Sequence, residues 1–148
     1  MVKGKLRHIA IETRDPEKTA EFYKKAFGAQ EITRHTTPDG KAVMHAQLKI
    51  GNSMLMLGTE FPPSCLSPKA RGGTSVKLNL YVENADTAFD RAVKAGCAVK
   101  MPLTDQFWGD RYGVTEDPFG HQWSIATHKQ DLSEEQIAAG AKAAFAKM

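Results

Sequence analysis

Glu116-Asp117-Pro118-Phe119-Gly120-His121-Gln122-Trp123-Ser124-Ile125 is the stretch on which the fold turns. Pro118 fixes φ and Gly120 tolerates positive φ, so a chain reversal is predicted at 117–120. Trp123 and Ile125 then share one parity, while Gln122, Ser124 and Ala126 share the other. That is the period of a strand with two unlike faces. A weaker echo stands earlier, at Leu48-Lys49-Ile50-Gly51-Asn52-Ser53-Met54-Leu55-Met56. Gly51 and Gly120 become equivalent points of two copies.

Working outward, the copies share more than this turn. Asp15 matches Asn84, Gly40 matches Gly109 and Gly51 matches Gly120, all at one offset; Gly28 and Gly96 differ by one residue fewer. The first copy reads as strand 6–13, then a helix from Pro16 to about 27 with Asp15 as N-cap and Gly28 as terminator. Strands follow at 31–36, 43–50 and 53–58, with turns at Pro38-Asp39-Gly40 and Gly51-Asn52. The linker 59–73 is kept irregular by Pro62, Pro63, Pro68, Gly72 and Gly73. The second copy reads as strand 75–82, a helix from Asn84 to about 95, strand 98–101, loop 102–110, and strands 111–116 and 122–127. Each copy is a βαβββ unit. A unit of roughly 60 residues buries too little apolar surface alone, so the copies must pack together. The expected fold is α+β: two tandem modules, at about 5–58 and 74–128, forming one curved mixed sheet, a half-barrel with helices outside. An alanine-rich helix at about 132–147, capped by Ser133, is appended, with Leu132, Ile137 and Phe145 available to pack.

The totals narrow the class. The chain has 148 residues, 41% hydrophobic and 25% charged, with a net charge of +3 and no basic run. This suits one soluble domain and argues against a nucleic-acid partner. No apolar run approaches the ~20 residues of a membrane helix. Two cysteines, Cys65 and Cys97, have no metal-like spacing and read as reduced thiols of a cytoplasmic protein.

Alternation also nominates a site. Opposite the helix-facing parity stand His8, Ala10 and Glu12 in the first strand, and Lys77, Asn79 and Tyr81 in the fifth. Gln122, Ser124 and Ala126 in the last strand join them, and Leu55 and Leu57 are placed with this set. Tyr, Leu and Leu suit a ligand cleft better than bare solvent. Trp108 and Arg111 stand before the final hairpin, to stack on a flat ligand and pair with its negative charge. Glu12 can pair with Lys77. Met44, Met54 and Met56 read as core or dimer packing. His121 reads as exposed or turn-stabilising, and His35, His45 and His128 show no mutual spacing that would make a site.

His8-Ile9-Ala10-Ile11 before Arg14-Asp15-Pro16, Glu21-Phe22-Tyr23 ahead of Phe27-Gly28, and 116–121 closing the second copy resemble the vicinal oxygen chelate superfamily. Its members include glyoxalase I, bleomycin and fosfomycin resistance proteins and extradiol dioxygenases. The resemblance covers 5–128. Phe107-Trp108-Gly109-Asp110-Arg111-Tyr112-Gly113 together with 117–128 looks like a bacterial glyoxalase/bleomycin-resistance-like branch. The resemblance implies a half-open barrel with the ligand or metal inside, and frequent homodimers. It also implies that metal-dependent members take ligands from the first and last strand of each module. Here those positions are His8 and Lys77, and Leu55 (or Met56, if a bulge shifts the register) and Ser124. Only His8 is an ordinary ligand for zinc, nickel or iron. The expectation is a metal-free binder of a flat or anionic small molecule. The alternative is a glyoxalase-like lyase or isomerase, or a dioxygenase, using His8 or Glu12 as base, with or without a divalent metal. An interaction module using the linker and final helix is the third reading.

Overall fold

The computed structural model describes residues 2–148. The chain runs β1 (Ile9–Thr13), α1 (Pro16–Phe27), β2 (Gln30–Thr36), β3 (Val43–Ile50) and β4 (Ser53–Thr59), then a four-residue helix α2 (Pro68–Arg71). The order repeats as β5 (Lys77–Tyr81), α3 (Ala85–Ala95), β6 (Ala98–Asp105), β7 (Asp110–Glu116) and β8 (Gln122–His128), followed by α4 (Glu134–Phe145). Local chemistry explains the helix ends. The Asp15 side chain accepts from the Lys18 amide at 3.0 Å and that of Asn84 from the Thr87 amide at 3.1 Å. Gly28 takes the left-handed conformation that lets its amide reach back to the last carbonyls of α1.

Two four-stranded sheets result, ordered β1-β4-β3-β2 and β5-β8-β7-β6. In each, the first strand lies parallel to the last and the other neighbours are antiparallel. The repeat and the α+β class are as expected. Each module supplies its own four-stranded mixed sheet, with β1 and β5 at the edges, and no closed barrel forms among the described residues. The linker carries α2, and β6 runs on through residues placed in a loop, because Met101 and Thr104 still find partners in Val114 and Tyr112.

The helices of the two modules face each other across a shared core. Tyr23, Leu48, Leu55 and Leu57 of the first module pack with Leu78 and Trp123 of the second. Trp123 stacks on Phe27 at 4.3 Å, and Phe22 and Phe27 touch both hydrophobic clusters. Arg91 of α3 donates to the Lys25 and Lys24 carbonyls, placing a cation at the negative end of α1. Asp117, which is buried, accepts from the Tyr23 hydroxyl, Trp123 Nε1 and the amides of Phe119 and His121. His121 is buried, correcting the exposed reading; its Nε2 lies 2.9 Å from the Glu12 carbonyl and ties the final turn to β1. The appended helix has a capping box between Ser133 and Gln136. It docks through Gly140, where a Cβ would come within 2.8 Å of Phe107 Cβ, while Phe145 stays exposed.

Candidate functional site

Each sheet packs one face under the helices; the other, the open face, is exposed at Tyr81 and Lys77 while Val114, Ser124 and Ala126 of its central strands are buried. Register decides which residues belong to which. Ile9 pairs with Leu55 and Ile11 with Leu57, so Leu55 and Leu57, 6% and 0% exposed, lie on the helix side within the core. Both belong to the core, and Leu55 also reaches the wall of the cavity between the modules. Met54 and Met56 take the open face instead of the core, beside Ala10 and Glu12. Both parities of β4 are apolar, so alternation alone could not choose between them.

On the second module the open face carries Lys77, Asn79 and Tyr81 of β5. Gln122, Ser124 and Ala126 of β8 and Tyr112, Val114 and Glu116 of β7 complete it. Ser124 is buried and hydrogen-bonds Asn79, its register partner, while Gln122 reaches Glu116. Arg111 is corrected. It projects to the helix side, where Nε and one terminal nitrogen each meet a carboxylate oxygen of Asp86 at 2.8 Å and the other contacts Asp105 at 3.1 Å. Those carboxylates raise its pKa further and leave it committed to structure. Glu12 and Lys77 form no ion pair among the described residues.

At one end of this face, residues that sequence reasoning passed over organise those it named. Asp110 is buried and accepts from Tyr81 OH at 2.8 Å, Trp108 Nε1 at 3.0 Å and His128 Nδ1 at 2.9 Å. Burial pushes the Asp110 carboxyl up; the bonds from His128, Tyr81 and Trp108 outweigh it and hold the group below its ordinary value. His128 is raised by Asp110 first and by Asp131, 2.7 Å from Nε2, second. Trp108 stands edge-on to Tyr112 at 5.3 Å and to Phe107 at 5.1 Å. Tyr81 remains 63% exposed, its ring free while its hydroxyl is anchored. The alternation of β7, which puts Asp110 and Tyr112 on the side opposite Arg111, was the available clue.

On the first module His8 is half-buried, with Nδ1 shielded and unpartnered. The Glu12 carboxylate overhangs Gly58: a Cβ there would lie 2.5 Å from Glu12 Oε2. Between the modules a cavity of about 350 Å³ opens, walled by Ile9, Leu55, Leu78 and Trp123, with Lys77 and Asn79 at its polar edge. Among the described residues no three His, Cys, Asp or Glu side chains are placed to hold a metal together.

The paired modules agree with sequence comparison: the Glyoxalase/Bleomycin resistance protein/Dioxygenase superfamily model matches residues 5–125. The chain belongs to this superfamily. An uncharacterized Mycobacterium bovis protein is 40% identical over 136 residues, covering 89% of this chain and 88% of that one. The crystal structure of TioX from Micromonospora sp. ML1 superposes with a TM-score of 0.67 at 26% identity, covering 84% and 99% of the two chains. FosX from Listeria monocytogenes, crystallised with Mn(II) and 1S,2S-dihydroxypropylphosphonic acid, superposes at 0.62 with 20% identity over 93% and 96%, a likeness of fold.

The superfamily metal can be tested against the residues present. The positions it would use offer His8, the thioether of Met56, the ammonium of Lys77 and the Ser124 hydroxyl already bonded to Asn79. A cation and a thioether beside one imidazole do not fit zinc, nickel or iron(II), which need three or four N, O or S donors. No helix among the described residues is long and apolar enough to cross a membrane.

Proposed function

We propose that the chain binds a flat, small organic molecule on the open face of its second module, without the superfamily metal. One observation carries this: Tyr81, Trp108 and Tyr112 converge at one end of that face, with Tyr81 and Trp108 held by the buried Asp110 carboxylate. A rigid aromatic platform is costly to leave in water and has low conformational entropy to lose on binding. Lys77, in no ion pair among the described residues, supplies a positive charge farther along the same strand for an anionic substituent. Ile9 and Val76 are exposed beside the β1 and β5 sheet edges, on the parity opposite the platform, and a homodimer joined along these edges would cover them while leaving Tyr81 free.

The test is a screen of aromatic carboxylates and phenols by calorimetry, with variants of the platform. Trp108→Ala should weaken the best ligand at least about ten-fold, since an aromatic stack is worth about 0.5–1.5 kcal/mol beyond area burial. Lys77→Ala should weaken anionic ligands more than neutral ones. Full affinity in both variants would refute the reading. A catalytic reading is favoured by one separate observation, the unengaged Glu12 carboxylate over Gly58. Turnover of a bound ligand that vanishes in Glu12→Gln with binding retained would establish it.

A further inference from the structure

The histidines that looked unrelated in sequence are not. β2 and β3 run antiparallel with His35 directly opposite His45, ring centroids 4.6 Å apart and planes inclined by 44°. The next strands extend the alignment, for His45 pairs with Gly58 and Gly58 with Glu12. One transverse row therefore crosses the open face of the first module: Glu12, Gly58, His45, His35. Gly58 has no side chain, and the Glu12 carboxylate occupies the space above it. Among the described residues, none of the Glu12, His45 and His35 side chains has a hydrogen bond or ion pair. His45 Nδ1 is shielded from water with no partner. A buried polar nitrogen without a partner is uncommon and asks for an explanation. The register also slips between His35 and Thr36, an irregularity of the kind that re-aims side chains beside functional sites.

We propose that His35 and His45 form a two-imidazole clamp for a borderline divalent cation, with the Glu12 carboxylate facing it across Gly58 as counter-charge. Directly opposed strand residues bring two imidazole nitrogens within reach of one ion, at the roughly 2.0–2.1 Å bonds such metals make to nitrogen. Imidazole suits copper, zinc and nickel, and copper(II) binds tightest in that series. Water completes the coordination. The clamp lies on the middle and edge strands of the first sheet, away from the first and last strands that supply the superfamily metal positions, and it does not depend on the aromatic platform.

Copper(II) titrated into the purified full chain, read by electron paramagnetic resonance, tests this. The expected result is one equivalent bound with hyperfine coupling to two imidazole nitrogens, at least ten-fold weaker in His35→Ala and in His45→Ala and unchanged in His8→Ala and His128→Ala. His35 is exposed on an edge strand, so His35→Ala keeps the fold and decides the matter even where His45→Ala does not. A single-nitrogen signal, undiminished binding in His35→Ala, or loss of binding in His8→Ala would overturn the proposal.

Discussion

Tyr23 and Asp117, 94 residues apart and in different modules, are joined by a buried 2.5 Å hydrogen bond. Burial, then the neighbouring carboxylate, raises the Tyr23 pKa well above its ordinary value, so the phenol stays protonated and donates at any working pH. The carboxylate answers four donors from three segments of chain.

Removing the hydroxyl and removing the charge should therefore differ. Tyr23→Phe leaves Asp117 with three donors and should cost about 1–2 kcal/mol. Asp117→Asn turns an acceptor oxygen into a donor facing Tyr23 and Trp123, and should cost about 3–5 kcal/mol. Urea unfolding monitored by near-ultraviolet circular dichroism would measure both, and equal losses would contradict the account.

Two glycines in strands should respond in opposite ways. A Cβ at Gly113 would meet the Phe89 ring at 2.7 Å and the Leu103 Cα at 2.9 Å, in the second core. Gly113→Ala should cost about 1–3 kcal/mol by overpacking. At Gly58 the obstacle is the mobile end of Glu12, so Gly58→Ala should change stability by less than about 1 kcal/mol while displacing the carboxylate. Thermal melts of the pair would check the contrast.

His128 makes stability depend on pH with a definite sign. Its folded pKa is raised, so the imidazolium's contribution is complete below the unfolded value of about 6.5 and is lost as pH rises through the higher folded value. His128→Gln should lower Tm at pH 5.5 and leave it nearly unchanged at pH 9. A larger deficit at high pH would contradict the assignment of Asp110 and Asp131 as its partners.

Arg111 should prove indifferent to ligand. Arg111→Ala breaks the two-oxygen pairing with Asp86 at the start of α3, and lowers Tm by an amount that shrinks with added salt. Affinity for any platform ligand should be unaltered, as calorimetry would show.

The difference between Arg111 and Trp108 also shows what was legible in sequence. Repeats, caps and turn glycines gave the modules, because each rests on a local backbone requirement. The face of β4 was not legible, since Met54, Leu55, Met56 and Leu57 are apolar at both parities and only pairing with β1 places them. The pairings His35–His45, Tyr81–Asp110 and His128–Asp110 join different strands, so spacing along the chain does not reveal them. Arg111, expected at the cleft mouth with Trp108, instead stands within β7, whose pleat turns it to the helix side toward Asp86.

The pairing of first strand with last has a consequence for synthesis. A ribosome that has released residue 59 has supplied every strand of the first sheet, yet the core face of α1 still lacks Trp123. Tyr23 and Phe27 then wait for residues 60–123 to be made before Trp123 can cover them, and β5 waits for β8. Such an interval exposes aromatic surface while it lasts. Synonymous changes that slow translation between the modules lengthen it, and the yield of soluble protein should fall with them.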